Sequence, residues 1–395
     1  MTVLDLGEQP LSNAYVVPGE EAMERSYPLH ARFCGACFLV QVDDVVAPAE
    51  IFSDYAYFSS FSDSWVEHAR RYVDDVSDRF ALDGDSKVVE IASNDGYLLR
   101  HFLDRSIPAL GIEPAANVAE AANSIGVPTI VDFFGSATAA AVTQEHGNAD
   151  LIVANNVLAH VPDLNDFVEG LAVLLADDGI ITIEVPHLLQ MVRRAEFDTI
   201  YHEHFSYFSL MAASGVLERH GLHVFDVDEL PTHGGSLRIY AAAAASVQPV
   251  TERVEAVIQQ ERRAGLDVAE GFSTFAARAE ACREGLLEFL ERAAVAGQRV
   301  VGYGAAAKGN TLLNYAGIGS DLLPWVADRN PRKQDRLLPG SHIPIVGPSR
   351  IHDDRPDFVL VLPWNIKDEV VAQLDDVRGW GGTFVTAVPN IELIP

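Results

Sequence analysis

The sequence predicts an α/β protein with two doubly wound parallel sheets and a small strand-rich module in front of them. Three observations carry this. Between Lys87 and Glu184, short runs of Val, Ile and Leu alternate with stretches at helical spacing, the signature of βαβ units. The same alternation restarts at Arg299 and runs to Ala387. Residues 1–50 show short alternating strands broken by Gly, Pro and a Cys-Gly-Ala-Cys knuckle. At 395 residues the chain exceeds what one core serves, and boundaries are expected at 1–50, 51–245, 246–298 and 299–395.

Taken in order, Leu4 to Leu11 and Tyr27 to Val40 give the strands of a zinc-ribbon-like module. Cys34 and Cys37 are its candidate metal ligands, because C-x-x-C is half of a four-thiolate zinc site. The other half is missing: Cys282 is the one further cysteine and sits far away in a helical pattern. The preferred reading is therefore a knuckle with an incomplete ligand set. Phe52 to Ser60 form an aromatic and hydroxyl-rich loop, in which Tyr55 and Tyr57 could face a ligand or pack at a hinge. Trp65, Ala69, Tyr72 and Val73 fall at helical spacing in a helix from Ser64 to Phe80, with Trp65 and Tyr72 expected in the core.

Strands are expected at Lys87–Ile91, Ala109–Pro114, Thr129–Val131, Asp150–Ala154 and Gly179–Glu184, with helices between them. Ligands of such sheets bind at the carboxyl ends of the strands, where Glu90, Glu113 and Asn155 to His160 fall. After Pro186 an irregular stretch with Tyr201-His202-Glu203-His204 crosses those ends. A helix at Leu210–His220 and strands at Leu222–Phe225 and Ser236–Tyr240 finish the sheet, and residues 251–296 read as linking helices. The second series starts at Arg299, with strands at Pro324–Asp328, Pro344–Val346, Asp357–Leu362 and Thr383–Ala387.

Composition narrows the function. A net charge of −29 disfavours a nucleic-acid partner, which needs a basic footprint. No apolar run reaches the ~18 residues of a membrane span. The N-terminus lacks a basic segment followed by an apolar one, so no secretory leader is expected. Three cysteines exclude a disulfide framework and point to a reducing, cytoplasmic setting.

The turn after the first long strand, Glu90-Ile-Ala92-Ser-Asn94-Asp-Gly96, has too few glycines for a dinucleotide fingerprint. An acid ending strand one, a small turn and Glu113 closing strand two form the arrangement of class I S-adenosylmethionine methyltransferases. There Ala92, Asn94 and Gly96 let the methionine part approach the backbone, and Glu113, an acceptor-only group, takes the ribose hydroxyls. Asp132 and Phe133 would hold the adenine, with Asn155 ending strand four. In the second series, Gly302-x-Gly304-x-x-x-Lys308 suggests NAD, with Asp328 near a ribose position. The spacing is not G-x-G-x-x-G, however, and Lys308 at a helix start suits a phosphate, so the loop reads as diphosphate-facing or purely structural.

Tyr201-His202-Glu203-His204 is not the H-E-x-x-H of zinc proteases: its histidines are two apart and cannot share a helical face. A base, an acid and phenols together suit proton transfer. The words Leu4-Asp-Leu-Gly-Glu-Gln-Pro-Leu-Ser-Asn13, Ser53-Asp-Tyr-Ala-Tyr-Phe-Ser-Ser60, Glu90 to Gly96, Tyr201 to Ser209, His233-Gly-Gly-Ser-Leu-Arg238 and Gly302 to Asn310 run the whole length of the chain. In them the chain resembles the S-adenosylmethionine-dependent C-methyltransferases of nucleotide-linked deoxysugars, which act on TDP-4-keto sugars.

The resemblance implies an N-terminal zinc module, a central methyltransferase domain and a C-terminal Rossmann-like domain. It implies His204 as the base, Tyr201 and Glu203 around the sugar, His160 as a second active-site histidine, Tyr55 (with Tyr57) in a substrate loop, and Lys308 near the diphosphate. One departure stands out. The family carries a first C-x-x-C ahead of the D-L-G-x-Q-P word, where this sequence begins, so Cys34 and Cys37 match only the second pair.

The mechanism implied is abstraction of a C–H proton beside a ketone by His204, with Tyr201, His160 or another donor on the enolate oxygen. Two other readings are an O-, N- or non-sugar C-methyltransferase, told apart by product NMR, and a sugar-nucleotide binder without turnover. The sugar, the carbon and the oligomeric state are not set by the sequence.

Overall fold

Burial of apolar residues builds the first sheet. In the computed structural model, which describes residues 1–43, 45–47 and 58–394, β1 (Thr2–Pro10) buries Val3, Leu4 and Leu6 around register shifts in its pairing. It pairs antiparallel with β2 (Ser26–Phe33), and β2 pairs with β3 (Val40–Val42). The sequence suggests a separate module here, but the structure does not isolate it. Leu4, Leu29, Phe33 and Val40 share one core with Phe197, Phe272, Leu312 and Val385 from distant parts of the chain. Tyr55 and Tyr57 lie outside the described residues.

After helix α1 (Asp63–Arg79), the central sheet takes β4 (Val88–Ile91), β5 (Ala109–Ile112), β6 (Thr129–Ile130), β7 (Ala149–Asn155) and β8 (Leu175–Pro186) as parallel strands. Their crossovers are α2 (Leu99–Asp104), α3 (Ala116–Ser124), α4 (Ser136–His146) and α5 (Leu164–Leu174). The four residues of β4 are all buried, as expected for a strand covered on both faces.

The stretch beyond Pro186 holds a helix the sequence does not announce, α6 (Leu188–Arg194), and a two-residue strand, β9 (Ser206–Tyr207). β9 pairs with β3, so the histidine segment is stitched to the N-terminal sheet. After α7 (Leu210–Arg219) come β10 (Leu222–Leu230) and β11 (Ser236–Ala243), the latter inserted antiparallel between β8 and β10. The order is β10-β11-β8-β7-β4-β5-β6, and it reverses direction between β4 and β7. That reversal is the switch point where ligands of doubly wound sheets sit.

Helices α8 (Glu252–Arg263) and α9 (Phe275–Val295) do more than link. Glu261 of α8, fully buried, accepts the N–H groups of Leu210 (2.6 Å) and Met211 (3.0 Å) at the start of α7. It also meets His187 Nε2 at 2.8 Å. A carboxylate suits that position because the first N–H groups of a helix have no partner within it.

The third sheet follows with β12 (Val300–Tyr303), α10 (Ala307–Ala316), β13 (Val326–Ala327), β14 (Ile345–Val346) and α11 (Ser349–Asp354). It continues with β15 (Phe358–Val361), α12 (Lys367–Gln373), β16 (Thr383–Thr386) and β17 (Glu392–Ile394). Its order is β14-β13-β12-β15-β16-β17, parallel except for β17. Among the described residues no helix is long and apolar enough to cross a membrane.

Candidate active site

The turn leaving β4 is sharp because three of its residues are left-handed: Ala92 (φ 55°), Asn94 (φ 51°) and Gly96 (φ 77°). Side chains disfavour that region, so something must hold the turn. Glu113 at the tip of β5 does so: its Oε2 accepts the Asn94 N–H at 3.0 Å and its Oε1 the Ala115 N–H at 2.9 Å. Burial raises the Glu113 pKa, opposed by those two amide bonds. Ser59 N–H donates to the Asn94 side chain at 2.9 Å, bringing the segment before α1 over the turn. A Cβ on Gly96 would lie 2.9 Å from Val127 Cγ2, so only glycine fits.

Glu90 is buried beneath this turn and does not line the cleft; burial, then the charges of Glu113 and Asp95, push its pKa well up. At the end of β7, Asn155 Oδ1 and Asn156 Nδ2 are buried without a hydrogen-bond partner among the described residues. Farther out, Asp132 accepts the Phe133 N–H (2.8 Å) and the Thr138 hydroxyl (3.0 Å), and Phe133 is 43% exposed at the rim.

The second part of the site comes from the segment pinned by β9. His204 Nδ1 faces the Thr199 carbonyl at 2.9 Å and must donate to it, so Nδ1 carries the proton in the neutral ring. Nε2 is then the acceptor, and the Tyr201 hydroxyl lies 2.8 Å from it. His160 repeats the pattern, with Nδ1 2.7 Å from the Glu203 carbonyl and its ring 4.7 Å from that of His204. Burial drives both pKa values down, to about 4 for His160 and well below 6.5 for His204. Glu203 accepts the Asn13 amide at 2.7 Å, and burial pushes its carboxyl up to about 7. His202 turns the other way, to the Pro28 carbonyl at 3.2 Å, and does not line the cleft.

The third part comes from the C-terminal sheet. Lys308, in the first turn of α10, donates to Asn365 Oδ1 at 2.8 Å and lies 4.5 Å over the Trp364 ring. Asp328 at the tip of β13 accepts the N–H groups of Ala305 (2.7 Å) and Asn330 (2.8 Å).

A cleft of about 1510 Å³ joins all three parts, running from Glu113 and Asp132 past His160 and His204 to Lys308 and Arg329. Ala92, Asn94, Phe133, Asn155, Tyr201 and Glu203 also line it. Glu90 and Gly96 shape its floor from beneath. Trp65, expected in the core, is instead a cleft wall, stacked on His68 at 4.9 Å and 5.0 Å from His233. Tyr15 and Glu196 line the cleft without having stood out in the sequence, and Asn13 and His233 stood out only as the ends of matching words. The Gly234-Gly235 pair after His233 was the available signal of a turn there.

The knuckle lies apart from the cleft. Cys34 is held below the usual thiol range by the N–H groups of Ala36 and Cys37, while burial raises Cys37. Two thiols are half of a tetrahedral zinc set. Among the described residues no group of three or more His, Cys, Asp or Glu side chains is arranged to hold a metal. The described residues supply two thiols toward such a site. The cofactor side does fit its ligand: Ala92 and Asn94 of the turn, the Glu113 carboxylate, Asn155 and Asn156 line the same cleft, and a carboxylate there can accept the hydroxyls of a nucleoside.

Comparison with known proteins gives one full-length likeness. The C-methyltransferase NovU of Streptomyces niveus is 34% identical over 395 residues, 100% of this chain and 94% of that protein. Family models match in three blocks: a candidate zinc-binding domain at 1–52, a methyltransferase domain at 65–227 and a C-methyltransferase C-terminal domain at 231–389. Among solved structures, an S-adenosylmethionine-dependent methyltransferase from Clostridium acetobutylicum is 8% identical with a TM-score of 0.37, covering 46% of this chain and 92% of that one. Magnesium protoporphyrin IX methyltransferase from Synechocystis is 15% identical with a TM-score of 0.34, covering 46% and 82%.

Proposed function

This chain belongs to the S-adenosylmethionine-dependent C-methyltransferases, and we propose that it methylates the carbon beside the ketone of a TDP-linked 4-keto-deoxysugar. The observation that carries the reading is the fixed tautomer of His204 in the cleft: Nδ1–H on the Thr199 carbonyl, Nε2 turned to Tyr201. A carbon becomes nucleophilic only when a proton is removed from it, and a ketone alongside makes that proton acidic enough for an imidazole. When bound, S-adenosylmethionine supplies an electrophilic methyl on a sulfonium.

His204 Nε2 takes the proton, and burial keeps the ring in its base form at neutral pH. Tyr201 holds Nε2 in line until substrate arrives. His160 packs against the base and presents the same neutral tautomer. Glu203, anchored by Asn13, meets a sugar substituent. Glu113 takes the ribose hydroxyls, with Asp132 and Phe133 at the adenine and Ala92, Asn94 and Asn155 around the methionine part. Glu90 and Gly96 set the turn from beneath.

A nucleotide tail is supported by the far end of the cleft, where Arg329 and Lys333 face in from a chain of net charge −29. Arg329 suits the diphosphate better than Lys308, which has carboxyl groups around it, or Lys333, which lies 3.8 Å from Asp328 Oδ2.

Incubation with S-adenosylmethionine and a panel of TDP-4-keto-deoxysugars, with NMR of the product, tests the reading. A new methyl on a ring carbon is expected; a methyl on oxygen or nitrogen overturns it. His204→Asn should lower turnover by about 10²–10⁴-fold. A rate near that of the unaltered chain removes His204 as the base.

A further inference from the structure

Opposite the histidine pair, the cleft wall carries charges that the reading above does not use. Lys308 is buried, with one N–H on Asn365 and its ammonium over the Trp364 ring. Trp364 Nε1 donates in turn to Asp198 Oδ2 at 2.7 Å. Glu196 lies alongside; Asp198 Oδ1 and Glu196 Oε1 are buried with no hydrogen-bond partner among the described residues. Burial pushes Glu196 up to about 8 and Asp198 up to about 6. Burial lowers the Lys308 pKa, opposed by the charges of Asp198 and Glu196, and the Arg194 guanidinium lies 3.9 Å from Glu196 Oε1. Lys308 is also near enough to His204 that its charge, after burial and His160, helps keep that ring neutral.

Such a set is a poor diphosphate site, because its cation is already balanced and a polyanion would meet two carboxyl groups. An oxygen that gains charge only during the reaction asks for something else: one donor, fixed beforehand, out of water. An ammonium has three N–H groups, and Asn365 uses one.

We propose that Lys308 is the electrophilic catalytic residue of enolisation, donating to the ketone oxygen while His204 Nε2 removes the proton from the neighbouring carbon. The C–H electron pair becomes the new C=C bond, and the C=O π pair moves onto oxygen. The abstracted proton ends on Nε2, and Lys308 keeps its own protons. Asp198 and Trp364 are positioning residues that hold the ammonium in place. The inference rests on the enolate reading and deepens it.

The test uses the full chain with Lys308→Met and Lys308→Gln. Deuterium uptake beside the ketone is followed in heavy water, with S-adenosylhomocysteine present, on a TDP-4-keto-deoxysugar that the unaltered chain methylates. Calorimetric titration with TDP and with S-adenosylhomocysteine runs alongside. Exchange should fall by about 10²–10³-fold while both affinities stay within about twofold. Should Lys308→Met fail to bind S-adenosylhomocysteine, Lys308→Gln decides, with the same drop expected. Undiminished exchange in the variants overturns the role of Lys308, as does weakened TDP binding with exchange intact in the saturated complex. No exchange in the unaltered chain overturns the enolate reading and the Lys308 role with it.

Discussion

At the tip of β5, Glu113 accepts the backbone N–H groups of Asn94 and Ala115; at the tip of β13, Asp328 accepts those of Ala305 and Asn330. Each acid ends the second strand of a doubly wound sheet and ties down the turn leaving the first strand. What lies over the two turns differs. At the first, the N–H groups of Ser59 and Ser60 reach the Asn94 and Asp95 side chains, while beside it, at the end of β7, the buried amide atoms of Asn155 and Asn156 have no partner among the described residues. Over the second, Tyr15 and Lys333 both donate to the Ala305 carbonyl, at 2.7 and 2.8 Å, and a Cβ on Gly304 would overlap the Pro363 ring. An acid in this place is first a clamp. It can serve a ligand where the backbone of its turn is left unclaimed; at the second, Tyr15 and Lys333 already take the Ala305 carbonyl, although Gly304 and Ala306 still line the cleft. That is the physical case against reading Gly302 to Lys308 as a dinucleotide loop.

The comparison breaks most visibly at Glu113. Glu113→Ala orphans two amides and removes the ribose acceptor, so S-adenosylmethionine affinity should fall by about 100-fold or more. Calorimetric titration reads this directly, and an affinity within about threefold of the unaltered chain would reduce Glu113 to a clamp alone. Asp328→Ala should act on stability instead. Two part-buried N–H groups lose their acceptor, for a cost of about 1–3 kcal/mol in urea unfolding, with S-adenosylmethionine affinity unchanged. Loss of cofactor affinity in Asp328→Ala would mean that the two turns are not independent.

The sequence shows one of these turns better than the other. Strands buried on both faces leave continuous apolar runs, so β4, β5, β7 and β8 are legible, and with them the switch point. The polar cluster from Tyr201 to His204 stands out against apolar neighbours. Other features leave no local period. The core shared by Leu29 and Phe33 with Leu312 and Val385 depends on partners hundreds of residues away. Helix α6 buries Leu188, Leu189, Met191 and Val192 and turns Gln190, Arg193 and Arg194 outward, but its seven residues are too few to declare a helical period. Trp65 sits at core spacing, yet its helix faces the cleft. Asn13 and Glu196 are single polar residues, and only the folded chain brings Asn13 to Glu203 and Glu196 into the same cleft.

The smallest expected effect asks which sheet's side of the cleft holds the group that titrates during turnover. Burial raises the Glu203 carboxyl to about 7, opposed by the Asn13 hydrogen bond and the charge of Lys333. If the ionised form meets the sugar, kcat/KM climbs as pH rises through about 7 and levels off above it. His204 cannot produce that limb, because its pKa is held well below 6.5 and the ring is already in base form. Glu203→Gln should remove the limb, cost about three- to tenfold on the alkaline plateau, and leave a profile that falls only where His204 protonates. A limb near 7 that survives in Glu203→Gln would shift the titration to Glu196 or Asp198, whose carboxyls lie at about 8 and 6. The rate would then follow the charge set around Lys308, and the second sheet would be governing the chemistry carried out over the first one.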